Sequence, residues 1–354
     1  MPLYRPADYL RDQPVGLWAL EGRADVLRIM RDNAAYIKKL YLTSSDAIAL
    51  RITKIPEGEL MRLSAKAIQA DLIAESTKLG LALEERLKVD TAKAVAAGAK
   101  GTQKALTGLF ASSEQTQINL AVLGKVYASV NQFATLAQWA RTINGLTLSD
   151  RIWATSGAFR STLTSLINMS VASGLGSRDT AKLIDALAKG GGYQLKQTVL
   201  ADYPKAVSRF GKHYGGNLNW EAFRLARTEL AFAANEATII SGRMTPGYYG
   251  TRWMLSESHP EPDICDDLAE RDSDGLGPGG YAKGNEPLTP HPNCICYQVP
   301  ILMEREEFIK NMNGWAKGGK WNEMDSWYKE VYKGYIEKGK VNIPAVLKAT
   351  KKAK

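Results

Sequence analysis

All three cysteines of the 354-residue chain, and two of its three histidines, fall between His259 and Cys296. Thiolate and imidazole are the donors that zinc prefers, and four of them close a tetrahedral structural site. His259, Cys265, His291, Cys294 and Cys296 offer five candidates. On an extended segment Cys294 and Cys296 would point to one face, as residues two apart do, and could share an ion. The spacing permits a site without demanding one, because C-x-C with a single upstream cysteine fits none of the zinc-finger or ribbon spacings well. The plainer reading, small buried hydrophobes with His-Pro pairs as loop punctuation, is preferred. A disulfide framework is disfavoured: three cysteines are few and odd in number, in a chain large enough to build its core without cross-links. The same residue types could also serve catalysis by a hydrolase or a metal-dependent nuclease, with Cys294 as nucleophile, His291 or His259 as base and Asp263 as orienting group. No local nucleophile signature accompanies them.

Composition sets the frame for these residues. With 45% hydrophobic and 23% charged residues the chain is of ordinary globular type, long enough for two or three domains. Its first residues, MPLYRPADYLRDQP, lack the apolar core of a secretion signal, and no run approaches 18 apolar residues. Reduced thiols and cytoplasmic synthesis, with no membrane partner, are the expectation. The net charge is +9, of which +5 falls after Ile301, and the chain ends in Lys348, Lys351, Lys352 and Lys354. Such a tail attracts phosphates without regard to sequence, although a solvated, frayed terminus is the preferred reading. Glu257–Glu286 is the reverse, with nine carboxylates against Arg271 and Lys283. The cysteine window is therefore a poor surface for nucleic acid.

The expected fold is α+β and mostly helical: long N-terminal helices, then a smaller helical domain with a short β-hairpin or small sheet near the C-terminus. The divisions are 1–144, 145–301 and 302–354. Glu57–Lys100 reads as one long amphipathic helix after Pro56, with Leu60, Leu63, Ala67, Ala70 and Ile73 at three-to-four spacing. A second is expected from Ser112, with Gln115 completing a capping box. Phe159–Ala172 and Arg178–Leu187 are shorter helices, the latter capped by Ser177. The glycine run in Lys189–Tyr193 is read as a loop and lacks the Gly-Lys-Ser/Thr of a phosphate-binding loop. In Trp220–Ser241 a helix presents Phe223, Ala226, Leu230, Ala233 and Ala237 on one small-residue face. Tyr249–Leu255 and Cys294–Ile301 read as strands that pair. The roughly forty residues between them exceed an ordinary connection, so the loop is functional or held by something. Rings and lysines interleave from Trp315 to Tyr335, a pattern that could stack single strands. Packing of one helix face is preferred.

Three blocks occur in order: GLTLSDRIW with the helices that follow it (Gly145–Leu187), RLARTELAFAANEA (Arg224–Ala237), and Trp253–Pro300, W-x(5)-HPxPDIC ending in HPNCICYxVP. In these the chain resembles the bacteriophage Mu F-like minor head proteins, which act in phage head morphogenesis. The resemblance covers about Gly145 to Pro300, under half the chain. It implies a virion structural protein present in few copies, associated with the portal protein and with capsid or scaffold components, and in some members with double-stranded genome DNA and its delivery. The implied equivalents are Arg227, Thr228, Glu229, Trp253, Asp263, Cys265, His291, Pro292, Cys294 and Cys296. Two departures stand out. Many relatives carry a second cysteine three residues after the first, where this chain has Leu268, which leaves histidine to complete a structural zinc site. The residue between the last two cysteines is commonly arginine and here is Ile295.

Overall fold

The computed structural model describes residues 15–198, 217–257, 259 and 262–343; Lys348, Lys351, Lys352 and Lys354 lie outside them. Among the described residues the chain is mostly helical with one small sheet, the α+β class expected. The helices are α1 (Gly16–Thr53), α2 (Glu57–Leu63), α3 (Gln69–Ala111), α4 (Leu120–Ala140), α5 (Leu148–Ala172), α6 (Ser177–Thr198) and α7 (Trp220–Arg243). Strand β1 (Tyr248–Met254) follows, then α8 (Ile264–Glu270), β2 (Gly280–Ala282), β3 (Tyr297–Leu302), α9 (Arg305–Ala316), α10 (Asn322–Trp327) and α11 (Gly334–Lys338). Among the described residues no helix is long and apolar enough to cross a membrane.

Several helix limits differ from the sequence reading, each for a local reason. The long helix expected over Glu57–Lys100 is interrupted at Ser64, which turns to a left-handed φ of 52°. The next amide, Ala65 N, is satisfied by Asn168 Oδ1 at 3.0 Å instead of by its own helix. A 3₁₀ turn (Ser64–Ile68) then leads into α3, which runs on past Gly98 to Ala111. α4 starts at Leu120, where Asn119 Oδ1 accepts from Ala121 N and Val122 N, and not at Ser112. Gln115 instead closes a loop by exchanging hydrogen bonds with Ile118. α5 begins well before Phe159, at a capping box between Thr147 and Asp150. Ser177 donates to the Ile55 carbonyl rather than capping α6. At the glycine run two helical stretches of α6 meet at Gly191, whose φ of 61° and ψ of −155° are not helical.

The chain forms two compact units, and the division falls inside α1, α3 and α7. Among the described residues, one comprises Arg31–Lys88 and those between Thr142 and Ala226. Its core includes an edge-to-face contact of Tyr41 and Phe159, ring centroids 5.5 Å apart. Gly80 lies against the Trp153 ring, closer than a side chain would allow.

The described residues of the other unit are those from 15 to Met30, Val89–Arg141 and those from Arg227 to Ile343. Here Leu230, Ala233 and Ala237 of the anticipated small-residue face meet Ala94, Val95, Ala99 and Ala134. The approach is close enough that a Cβ on Gly98 would run into the Ala234 carbonyl oxygen. Thr238 Oγ1 donates to the Gly98 carbonyl at 2.9 Å. The sheet is antiparallel in the order β2-β1-β3, with Arg252 opposite both Gly280 and Val299. The two anticipated strands thus pair, and β2 joins them from inside the long connection. The C-terminal rings are engaged in packing: Trp327 and Tyr332 are buried with Phe110 and Phe308, and Trp327 Nε1 donates to the Met244 carbonyl at 2.7 Å.

Candidate metal centre

Two short segments supply the thiols. α8 starts at a capping box, in which Asp263 Oδ1 accepts from Cys265 N (2.6 Å) and Asp266 Oδ2 from Asp263 N (2.7 Å). Cys265 is thereby fixed in the first helical turn, completely buried. Leu268 lies one turn further on and packs with the three cysteines. The second segment precedes β3. Cys294 and Cys296 are not on the strand, which starts at Tyr297; they converge on Cys265 because Asn293 reverses the chain at a φ of 64°.

Helix α7 holds that segment from behind. Asn293 N donates to Thr228 Oγ1 at 2.8 Å. Asn235 donates to the carbonyl of Cys296 (3.2 Å) and to Thr289 Oγ1 (3.0 Å), and accepts from Gln298 N (3.2 Å). From α1, the Arg23 guanidinium donates to the Ile295 carbonyl and lies 4.6 Å from the Tyr297 ring centroid. Trp253, on β1, packs against the thiols from the sheet. Glu229 faces elsewhere, fully buried and paired with Arg141 (2.7 Å) and Gln138 (2.6 Å). Within the Arg-Thr-Glu motif, Thr228 thus sets the turn before Cys294 and Glu229 anchors the helix. Asn235, Arg23 and Asp266 were not singled out as site residues. Asn235 could have been, as a lone amide among small apolar neighbours, whereas nothing local marks Arg23.

The three Sγ atoms lie within 4.8 Å of one another, with Cys265 and Cys294 3.5 Å apart. A tetrahedral zinc with bonds of about 2.3 Å to sulfur sets its sulfurs about 3.8 Å apart, so the trio fits such an ion. Each histidine reaches one edge of it. His259 Nδ1 is 3.8 Å from Cys296 Sγ, and its Nε2 is held by Asp266 Oδ2 at 2.8 Å. His291 Nε2 is 3.3 Å from Cys265 Sγ and 3.1 Å from Asp263 Oδ2, with Nδ1 3.0 Å from the carbonyl of Pro292. His259 is the better fourth donor. A carboxylate on its far nitrogen fixes the tautomer and orients the ring, as around bound zinc, and its side chain is 12% exposed against 34% for His291.

Proton affinities inside the trio diverge. Hydrogen bonding from Cys294 draws the Cys296 thiol down to about 6, against its burial. The same bond, then burial, pushes Cys294 up, and burial pushes Cys265 up. One sulfur thus takes thiolate character from its neighbours.

The long connection is braced by its own polar groups. Arg252 donates to the carbonyls of Leu276 (2.6 Å) and Pro278. Asp274 accepts from Ala282 N and Asn285 Nδ2, each at 2.8 Å. Tyr281 OH donates to the Leu268 carbonyl at 2.9 Å. At the far end buried Glu286 accepts from Arg243 and from Tyr248 OH (2.9 Å).

A scan of protein-family models and searches of curated proteins and of solved structures found no match to this chain.

Proposed function

We propose that the chain is a structural protein of a bacteriophage head: a minor head protein acting in head morphogenesis, docked on the portal inside the procapsid, with packaged DNA nearby. The observation that carries this reading is that the two more specific blocks of the resemblance form one site. Thr228 and Asn235 of the Arg224–Ala237 helix hold the HPNCICY segment, and Trp253 packs on its thiols. Within that site Cys265, Cys294, Cys296 and His259 would hold a structural zinc, which supplies a cross-link between α8 and the entry to β3.

Catalysis is the weaker reading. Cys296, His259 and Asp266 follow the order of a thiol relay, but the three thiols are 0–3% exposed. The cavity that touches Cys296 measures about 30 Å³, room for a water and not for a substrate.

The test is co-expression with the portal protein of the same phage genome, followed by affinity capture and gel filtration. Co-elution with the portal is expected; no association with portal or capsid protein overturns the reading.

A further inference from the structure

We propose that the cavity between α5 and residues 62–73 binds a phosphate ester of about nucleotide size, free or as one unit of a strand. It lies in the compact unit that does not hold the thiols, and it depends neither on the metal reading nor on the phage reading. The cavity measures about 710 Å³, inside the range of small-ligand pockets, roughly 300–1,000 Å³. Arg62, Lys66 and Arg160 line it, and no carboxylate does. Asp71 falls between lining residues in sequence but pairs with Arg51 instead, at 3.5 Å. Among the described residues none of the three cations has a carboxylate within ion-pair distance.

Two walls are tied together to make it. Arg160, Thr164 and Asn168 recur every fourth residue on one face of α5. Asn168 Oδ1 accepts from Ala65 N at 3.0 Å, at the break where Ser64 turns left-handed. That bond holds the stretch carrying Arg62 and Lys66 against the α5 row, and it leaves the Asn168 NH₂ as a donor. A cleft lined by one sign of charge concentrates the opposite sign. Guanidiniums fork onto phosphate oxygens, and a phosphate carries up to about two charges on three oxygens where a carboxylate carries one. Three cations in one cavity therefore match a phosphate better than a carboxylate. Leu63 and Ile73, the latter 42% exposed, give the organic part of the ester an apolar wall.

The experiment is calorimetric titration of the full-length chain with ADP, with a short single-stranded oligonucleotide, and with a glutamate peptide of the oligonucleotide's charge. ADP is expected to bind, and Arg62→Gln and Arg160→Gln should each weaken it about tenfold, the usual effect of losing a hydrogen bond to a charged group. Both arginines are exposed, so their replacement leaves the core intact. Lys39→Gln, at an exposed cation of the same unit that does not line the cavity, should bind as the unsubstituted chain does. Binding of the oligonucleotide and not of ADP, with the same sensitivity to the arginines, assigns the phosphate to a nucleic-acid strand. No binding of either, equal affinity in the arginine variants, or an equal loss in Lys39→Gln overturns the site. Equal affinity for the glutamate peptide overturns the phosphate assignment.

Discussion

The amide of Asn293 donates a 2.8 Å hydrogen bond to Thr228 Oγ1, across 65 residues of sequence. Through it, helix α7 sets the position of thiols it does not carry. Asn293 itself is left-handed, which few side chains tolerate, so the turn that brings Cys294 inward is fixed by a backbone conformation and by one side-chain oxygen.

Thr228→Val should therefore destabilise the protein by about 1–3 kcal/mol, because it strands a part-buried amide, whereas Thr228→Ser should be close to neutral. Asn293→Gly should be tolerated and Asn293→Val should cost about 1–2 kcal/mol. Urea unfolding monitored by tryptophan fluorescence measures all four. Equal midpoints for the valine and serine variants at position 228 would remove the bond from the account.

Purified protein should contain about one zinc per chain, by the ligand count of a closed structural site. Mass spectrometry of the metal should show its loss in Cys265→Ser and in His259→Asn. Retention is expected in His291→Asn. Loss in His291→Asn with retention in His259→Asn would reverse the assignment of the fourth ligand.

Acid should weaken one anchor in a defined direction. Burial alone would raise the Glu286 carboxyl, but the Arg243 guanidinium overrides it and holds the group below its usual range. A carboxyl lowered in the folded state adds stability at pH above its unfolded value, about 4.3. That stability is lost as the pH falls through the lower folded value. Thermal midpoints between pH 7 and 3 should thus fall less steeply in Glu286→Gln than in the unsubstituted chain. Arg243→Met leaves the carboxylate buried and unpaired and should destabilise by about 3–5 kcal/mol at pH 7. Parallel curves for the unsubstituted and Gln chains would show that the pair is not felt.

Gly98→Val forces a side chain into the Ala234 backbone, which neither helix can yield without parting. A loss of about 1–3 kcal/mol or more is expected, as for other overpacked cores. An unchanged thermal midpoint would mean that α3 and α7 are further apart than the structure places them.

The sequence made some of this visible and hid the rest for physical reasons. Three-to-four spacing located α7 and its small-residue face, and the pairing of β1 with β3 was readable because both are runs of β-branched and aromatic residues. Ser64 was not, since the acceptor that lets its helix break is Asn168, 104 residues further on. The cap at Asn119 was masked by an equally good pattern at Ser112 and Gln115. β2 is three residues beginning with glycine, whose pairing comes from tertiary contact rather than propensity. In the site, the five candidate ligands were all named from residue type. Which histidine faces which thiol depends on Asp263 and Asp266, whose capping box has no distinguishing residue type inside an acidic stretch.

The braces of the connection between β1 and β3 have a thermodynamic consequence. Arg252, Asp274, Tyr281 and Glu286 brace that connection with side-chain hydrogen bonds. Small zinc domains are unfolded without their ion, and metal binding there is folding. A zinc held by these cysteines would therefore meet segments already braced by side-chain hydrogen bonds, and more of its coordination free energy would be expressed as affinity. A chelator should accordingly leave the helical signal intact while loosening only the ligand turn and the start of α8.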